Sequence, residues 1–173
     1  MNKEWRINSL RIIILIIFQV FILKGIRLSD APNQYVNIII YPVAILLLPM
    51  AIPQFFVLLL AFLAGLTVDL FYNSIGVHAA ACLWMAAGRS FVLKFLEPKS
   101  GYSIDQKPNG YSLGIFWFFQ YVSILMLIYF FFYFSLEIFT FVYLGEILIK
   151  TILSFVVSMF VISILQILLN PKN

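Results

Sequence analysis

Apolar residues run along this chain in long stretches, and the few polar or helix-breaking positions cut them into lengths suited to a bilayer, which takes about 20 residues per helix. The first stretch is expected to be helical from Leu10 to Leu23, closed by Lys24 and Arg27, whose long stems can reach back to the headgroups. A second helix is expected over Tyr35 to Leu48. It is short, Pro42 interrupts its hydrogen-bond ladder, and Pro49 with Pro53 forces a tight connection, so a tilted, kinked or partly re-entrant segment is also open. A third helix is read from Gln54 to Phe71 and a fourth from Val77 to Leu96, with Asn73, Ser74 and Gly76 turning the chain between them. Residues 97–112 carry Pro98, Gly101, Pro108, Asn109 and Gly110, which is turn chemistry without apolar periodicity. A fifth helix is expected from Leu113 to Phe134 and a sixth from Tyr143 to Leu169.

Composition agrees with that pattern. The 173 residues are 64% hydrophobic and only 10% charged, with a mean hydropathy of +1.05, whereas soluble domains are about 45 to 50% apolar and about 25% charged. The expected fold class is therefore an all-α integral membrane protein of six transmembrane helices, a single transmembrane domain over residues 1–173. Basic residues set its orientation. With the N-terminus inside, Lys3, Arg6, Arg11, Lys94, Lys99, Lys107 and Lys172 fall on or beside the cytoplasmic side, against Lys24, Arg27 and Lys150 outside. Both termini and the polar loop 97–112 are then expected in the cytoplasm. A five-helix reading with a re-entrant second segment moves that basic loop outside and fits the charge bias worse. The net charge of +4 reads as topology and attraction to anionic lipid, with no basic run that would suggest nucleic acid. The first apolar stretch lacks a small-residue cleavage site after it and is read as a retained helix.

The most informative stretch is Ala61 to Ala81, where Asp69 and His78 stand in apolar surroundings. An ionised carboxylate at membrane depth costs roughly 2.5 to 3.5 kcal/mol on insertion scales, so Asp69 requires a partner. Ala61, Gly65 and Asp69 recur every fourth residue on one helix face, and the small pair lets a neighbouring helix approach closely. Ala80 and Cys82 belong to the matching small-residue surface of the following helix, so a tight hairpin is expected. Depth makes His78, or the free N–H groups at the start of that helix, the expected partner of Asp69. Two roles are open for this carboxylate: a staple of the turn, or part of a polar site with Gly65, Asn73, Gly76 and His78 that a ligand or partner helix reaches. Arg89 and Lys94 are read as anchors at the membrane surface, and Glu146 with Lys150 as an interfacial i,i+4 pair.

No catalytic motif is found: GxSxG, HExxH and a phosphate loop are all missing, and Ser90 with Lys94 is one residue too widely spaced for S-x-x-K. A single Cys82 and a single histidine argue against a metal site, and no cofactor is expected.

The segments LLLPMAIPQ at Leu46 to Gln54, GLTVDLFYNSIGVHAAA at Gly65 to Ala81 and RSFVLKFLEPKSGY at Arg89 to Tyr102 resemble MreD, the rod shape-determining membrane protein family. The specific core of the resemblance is Gly65-x-x-x-Asp69 followed by Gly76 and His78. The resemblance implies a non-enzymatic component of the bacterial cell-elongation complex in the inner membrane. It would bind the membrane helix of MreC and work beside MreB, RodA and a transpeptidase in peptidoglycan synthesis. MreD is similar in layout to the substrate-binding subunits of energy-coupling-factor transporters, so a small-molecule carrier of vitamin type is the alternative.

Overall fold

The computed structural model describes residues 3–25, 35–99, 101–102 and 106–169; Arg27 and Lys172, which enter the charge-bias argument, and the terminal Met1 and Asn173 lie outside them. All described regular structure is helical: α1 (Lys3–Phe21), α2 (Pro42–Leu46), α3 (Gln54–Tyr72), α4 (Val77–Phe95), α5 (Gly110–Leu113), α6 (Ile115–Ile138) and α7 (Leu144–Leu169), with short 3-10 turns at Leu23–Gly25 and Phe141–Tyr143. Four helical stretches are long and apolar enough to cross a membrane: Asn8–Gly25, Gln54–Tyr72, Ile115–Ile138 and Leu144–Gln166.

Helix α4 is as long as α3 but less apolar, because it carries His78, Gly88, Arg89, Ser90 and Lys94. Its position explains how that composition is tolerated. It packs chiefly against α3 on one side and α6 on the other, so protein replaces lipid around much of its circumference. The Asn73 to Gly76 turn lies at one end of the bundle, here the hairpin end, with the start of α7. The segment between α4 and α6 lies at the opposite, loop end. There Asn109 caps one-turn α5 by accepting the Ser112 N–H at 2.9 Å, and Gly114, at φ +93°, sets α6 off from it.

The helix expected over Tyr35 to Leu48 is not formed as such. Residues 35–40 are extended and only Pro42–Leu46 is helical. Proline has no N–H to continue a ladder, so Pro42 occupies the first turn of a helix, where that donor is not needed. The extended part meets its backbone requirements through side chains of distant helices. The N–H groups of Asn37 and Ile39 donate to the hydroxyls of Ser154 and Ser158, each at 3.0 Å, one turn apart on α7. Gln19 of α1 accepts the Ile40 N–H at 2.9 Å and donates to the Ile38 carbonyl at 2.8 Å. Ile39, Ile40, Tyr41, Ile45 and Leu46 are all buried, so this segment is core. Irregular backbone at membrane depth is viable only when it is enclosed by protein in this way.

Candidate functional site

The α3–α4 hairpin is closed at two levels. One turn before Asp69, Gly65 lies so close to the first turn of α4 that a Cβ built on it would be 2.5 Å from the Ala79 Cα and 2.7 Å from the His78 carbonyl oxygen. Only glycine permits that approach. Ala61, one turn earlier, and Cys82 on α4 are fully buried, while Ala80 is half-buried.

At its end the turn depends on backbone chemistry. Asn73 stops α3 in the left-handed region at φ 55°, and Gly76 starts α4 at φ 76°, a conformation that costs glycine little. This geometry brings the first N–H groups of α4 onto Asp69. One carboxylate oxygen accepts the Ser74 hydroxyl at 2.5 Å and the His78 backbone N–H at 3.0 Å, and the other accepts the Ala79 N–H at 2.9 Å. Asp69 is only 2% exposed. Hydrogen bonds to a charged group are worth about 1.5 to 3 kcal/mol each, so three of them offset an insertion cost of roughly 2.5 to 3.5 kcal/mol. The partner of Asp69 is therefore the N-terminus of α4, where unsatisfied donors and the positive dipole end coincide.

The imidazole of His78 points elsewhere, into a buried aromatic cluster. Its Nδ1 lies 2.8 Å from the Tyr129 hydroxyl, which is 3.2 Å from the Tyr41 hydroxyl, and Tyr41 accepts the Cys82 thiol at 3.3 Å. Thiol to Tyr41, Tyr41 to Tyr129 and Tyr129 to Nδ1 is a consistent donor order. It assigns the ring proton to Nε2, an assignment made from the network. Nε2 is buried and has no hydrogen-bond partner among the described residues; the rings of Tyr72 and Tyr133 lie 4.9 and 4.8 Å from the imidazole centroid. Tyr72 is held in turn by Gln19, whose amide donates to its hydroxyl at 2.9 Å. Among the expected residues, then, Gly65, Asp69, Gly76 and His78 form one unit, and Asn73 stays on its exposed rim.

Toward the loop end stands a second buried charge. Arg89 is 2% exposed and is not an anchor at the membrane surface. Its guanidinium donates to the Leu48 carbonyl at 2.6 Å, to the Pro49 carbonyl at 3.3 Å and to the Tyr121 hydroxyl at 3.1 Å, while Tyr121 donates to the Leu46 carbonyl at 3.1 Å. Helix α2 ends before Leu48 and Pro49; Arg89 donates to both carbonyls, sharing that of Pro49 with the Ile52 N–H, and Tyr121 donates to the last helical carbonyl, that of Leu46. Lys94, by contrast, is exposed. Glu146 and Lys150 form the expected i,i+4 pair at 2.9 Å.

Sequence reading passed over Gln19, Tyr41, Ser154 and Ser158, and it took the clusters Phe116 to Tyr121 and Tyr129 to Phe134 as an aromatic belt, whereas Tyr121 and Tyr129 are fully buried. Gln19 carried the clearest signal, an amide inside an apolar helix. Ser154 and Ser158, four residues apart in α7, carried a weaker one. Among the described residues, no group of three or more His, Cys, Asp or Glu is placed to hold a metal ion.

The molecule is thus a helical protein with membrane-length helices and buried charges satisfied by backbone groups. Comparison with protein-family models, with curated proteins and with solved structures found no match to this chain.

Proposed function

We propose that this chain is a non-enzymatic scaffold of the bacterial cell-elongation complex, similar to MreD, which binds the membrane helix of MreC. The observation that supports this reading is that the residues carrying the resemblance, Gly65, Asp69, Gly76 and His78, are those that build the α3–α4 hairpin. A motif whose spaced polar residues act in one structural unit is a stronger basis for kinship than shared Leu and Phe. The scaffold is favoured over a vitamin-type carrier because the polar groups of the hairpin end bond to the chain itself. Asp69 is taken up by α4, and Nδ1 of His78 by Tyr129.

In this reading the chain crosses the inner membrane six times, with both termini in the cytoplasm and Asn73 outside. Residues 35–48 make one of the crossings. As a helix they would rise only about 21 Å, short of a hydrocarbon core of about 30 Å. Six extended residues at about 3.3 Å each, followed by α2 and its flanks, reach nearly that depth.

Two measurements test the proposal together. Affinity purification in mild detergent is expected to recover MreC, and depletion in the host is expected to turn rods into spheres. Retained rod shape with a small molecule co-purifying instead of MreC would favour the carrier. For topology, a labelling cysteine at Asn73 should react from outside and one at Lys99 should not.

A further inference from the structure

Helices α1 and α3 leave a groove of about 350 Å³ between them on the surface of the bundle. Ile16 and Val20 line it from α1 and Leu60 and Phe71 from α3, with Ala64 and Thr67 the smallest of the lining side chains. The lining runs from Ile12 to Phe21 on α1 and from Leu60 to Phe71 on α3. At about 1.5 Å per residue these are lengths of roughly 14 and 16 Å. A volume of about 350 Å³ spread along those lengths leaves the room of one alkyl chain, and far less than a helix about 10 Å across would fill.

One end of the groove is marked by a cation. Lys24 follows α1 directly, is exposed, donates to the Phe71 carbonyl oxygen and lies 5.4 Å from the Tyr72 ring centroid. Phe21 and Phe71, with ring centroids 6.2 Å apart, close the groove beneath it. An ammonium has three N–H donors, so the bond to Phe71 leaves two for an anion. No carboxylate among the described residues forms an ion pair with Lys24. We infer that the groove binds one acyl chain of an anionic phospholipid whose phosphate meets the Lys24 ammonium. The alkyl chain supplies the length and the apolar match, and Lys24 selects the headgroup.

The test is native mass spectrometry of the protein purified in mild detergent and given phosphatidylglycerol or phosphatidylcholine with identical chains. One phosphatidylglycerol should be retained per chain, with a preference of about fivefold over phosphatidylcholine, the discrimination one lysine supplies at a membrane surface. Thr67→Phe should abolish retention of both lipids at unchanged melting temperature, because Thr67 is exposed and its hydroxyl bonds only to Leu63 of its own helix. Lys24→Gln should keep one lipid but bring the preference close to one. Glycerol 3-phosphate, which has the phosphate without chains, should not compete. Wild-type retention in Thr67→Phe, an undiminished preference in Lys24→Gln, or competition by glycerol 3-phosphate would each overturn the inference.

Discussion

Asp69 near the hairpin end and Arg89 toward the loop end are opposite charges with the same exposure, 2%, and each is satisfied by backbone groups, of a helix start for Asp69 and of a connection for Arg89. The carboxylate takes the N–H groups that begin α4, and the guanidinium takes the Leu48 and Pro49 carbonyls of the connection that follows α2. The dipole of α4 adds to the first arrangement, an anion at a helix N-terminus, whereas the second rests on the hydrogen bonds alone. The two differ in reach. Asp69 bonds to residues five to ten positions ahead, across one turn, whereas the carbonyls that Arg89 meets lie 40 and 41 positions back. A buried charge in this protein is tied to backbone groups, and the sequence distance to them governs how readily it can be foreseen.

Five substitutions, at four positions, probe this comparison. The largest effect should come from Gly65→Leu, which forces a side chain into the backbone of Ala79 and draws α4 away from Asp69. Since backbone cannot yield as a flexible side chain does, a loss of about 3 kcal/mol or more is expected, seen as poor accumulation and a lowered melting temperature in detergent. Arg89→Met should cost about 3 kcal/mol by leaving the buried Leu48 carbonyl without its donor and the Tyr121 hydroxyl without its own, while the Pro49 carbonyl keeps the Ile52 N–H. Arg89→Lys should recover only part of this, because one ammonium lacks the planar fork of a guanidinium. Asp69→Asn keeps size and one acceptor, and its loss should be about 1 to 2 kcal/mol in the same melting assay. Ser158→Ala removes the acceptor of the Ile39 N–H and should cost about 1 kcal/mol, with faster amide exchange at Ile39 as its specific signature.

The long helices were legible because length, turn residues and small-residue spacing are local properties. The third, fourth and sixth expected helices match α3, α4 and α7 to within a residue at each end, and the fifth runs on to Ile138. The hairpin was legible for the same reason: Gly65, Asp69, Asn73 and Gly76 act within one turn of chain. Residues 35–48 were not. Their apolar run reads as a helix, and the groups that hold them extended, Gln19, Ser154 and Ser158, come from the first and last helices. Arg89 was misread as a surface anchor because its acceptors, the Leu48 and Pro49 carbonyls, lie 40 and 41 positions back in the chain. Pro42 held the missing clue, being better suited to starting a helix than to interrupting one.

A double-mutant cycle between Asp69 and His78 tests the central claim most directly. Asp69→Asn is measured in the wild type and in His78→Gln, with melting free energies compared. If the end of α4 is what holds the carboxylate, the backbone N–H groups of residues 78 and 79 survive the exchange and the coupling should stay below about 0.5 kcal/mol. A coupling above about 1 kcal/mol would mean that the imidazole itself sustains Asp69, and would contradict the account.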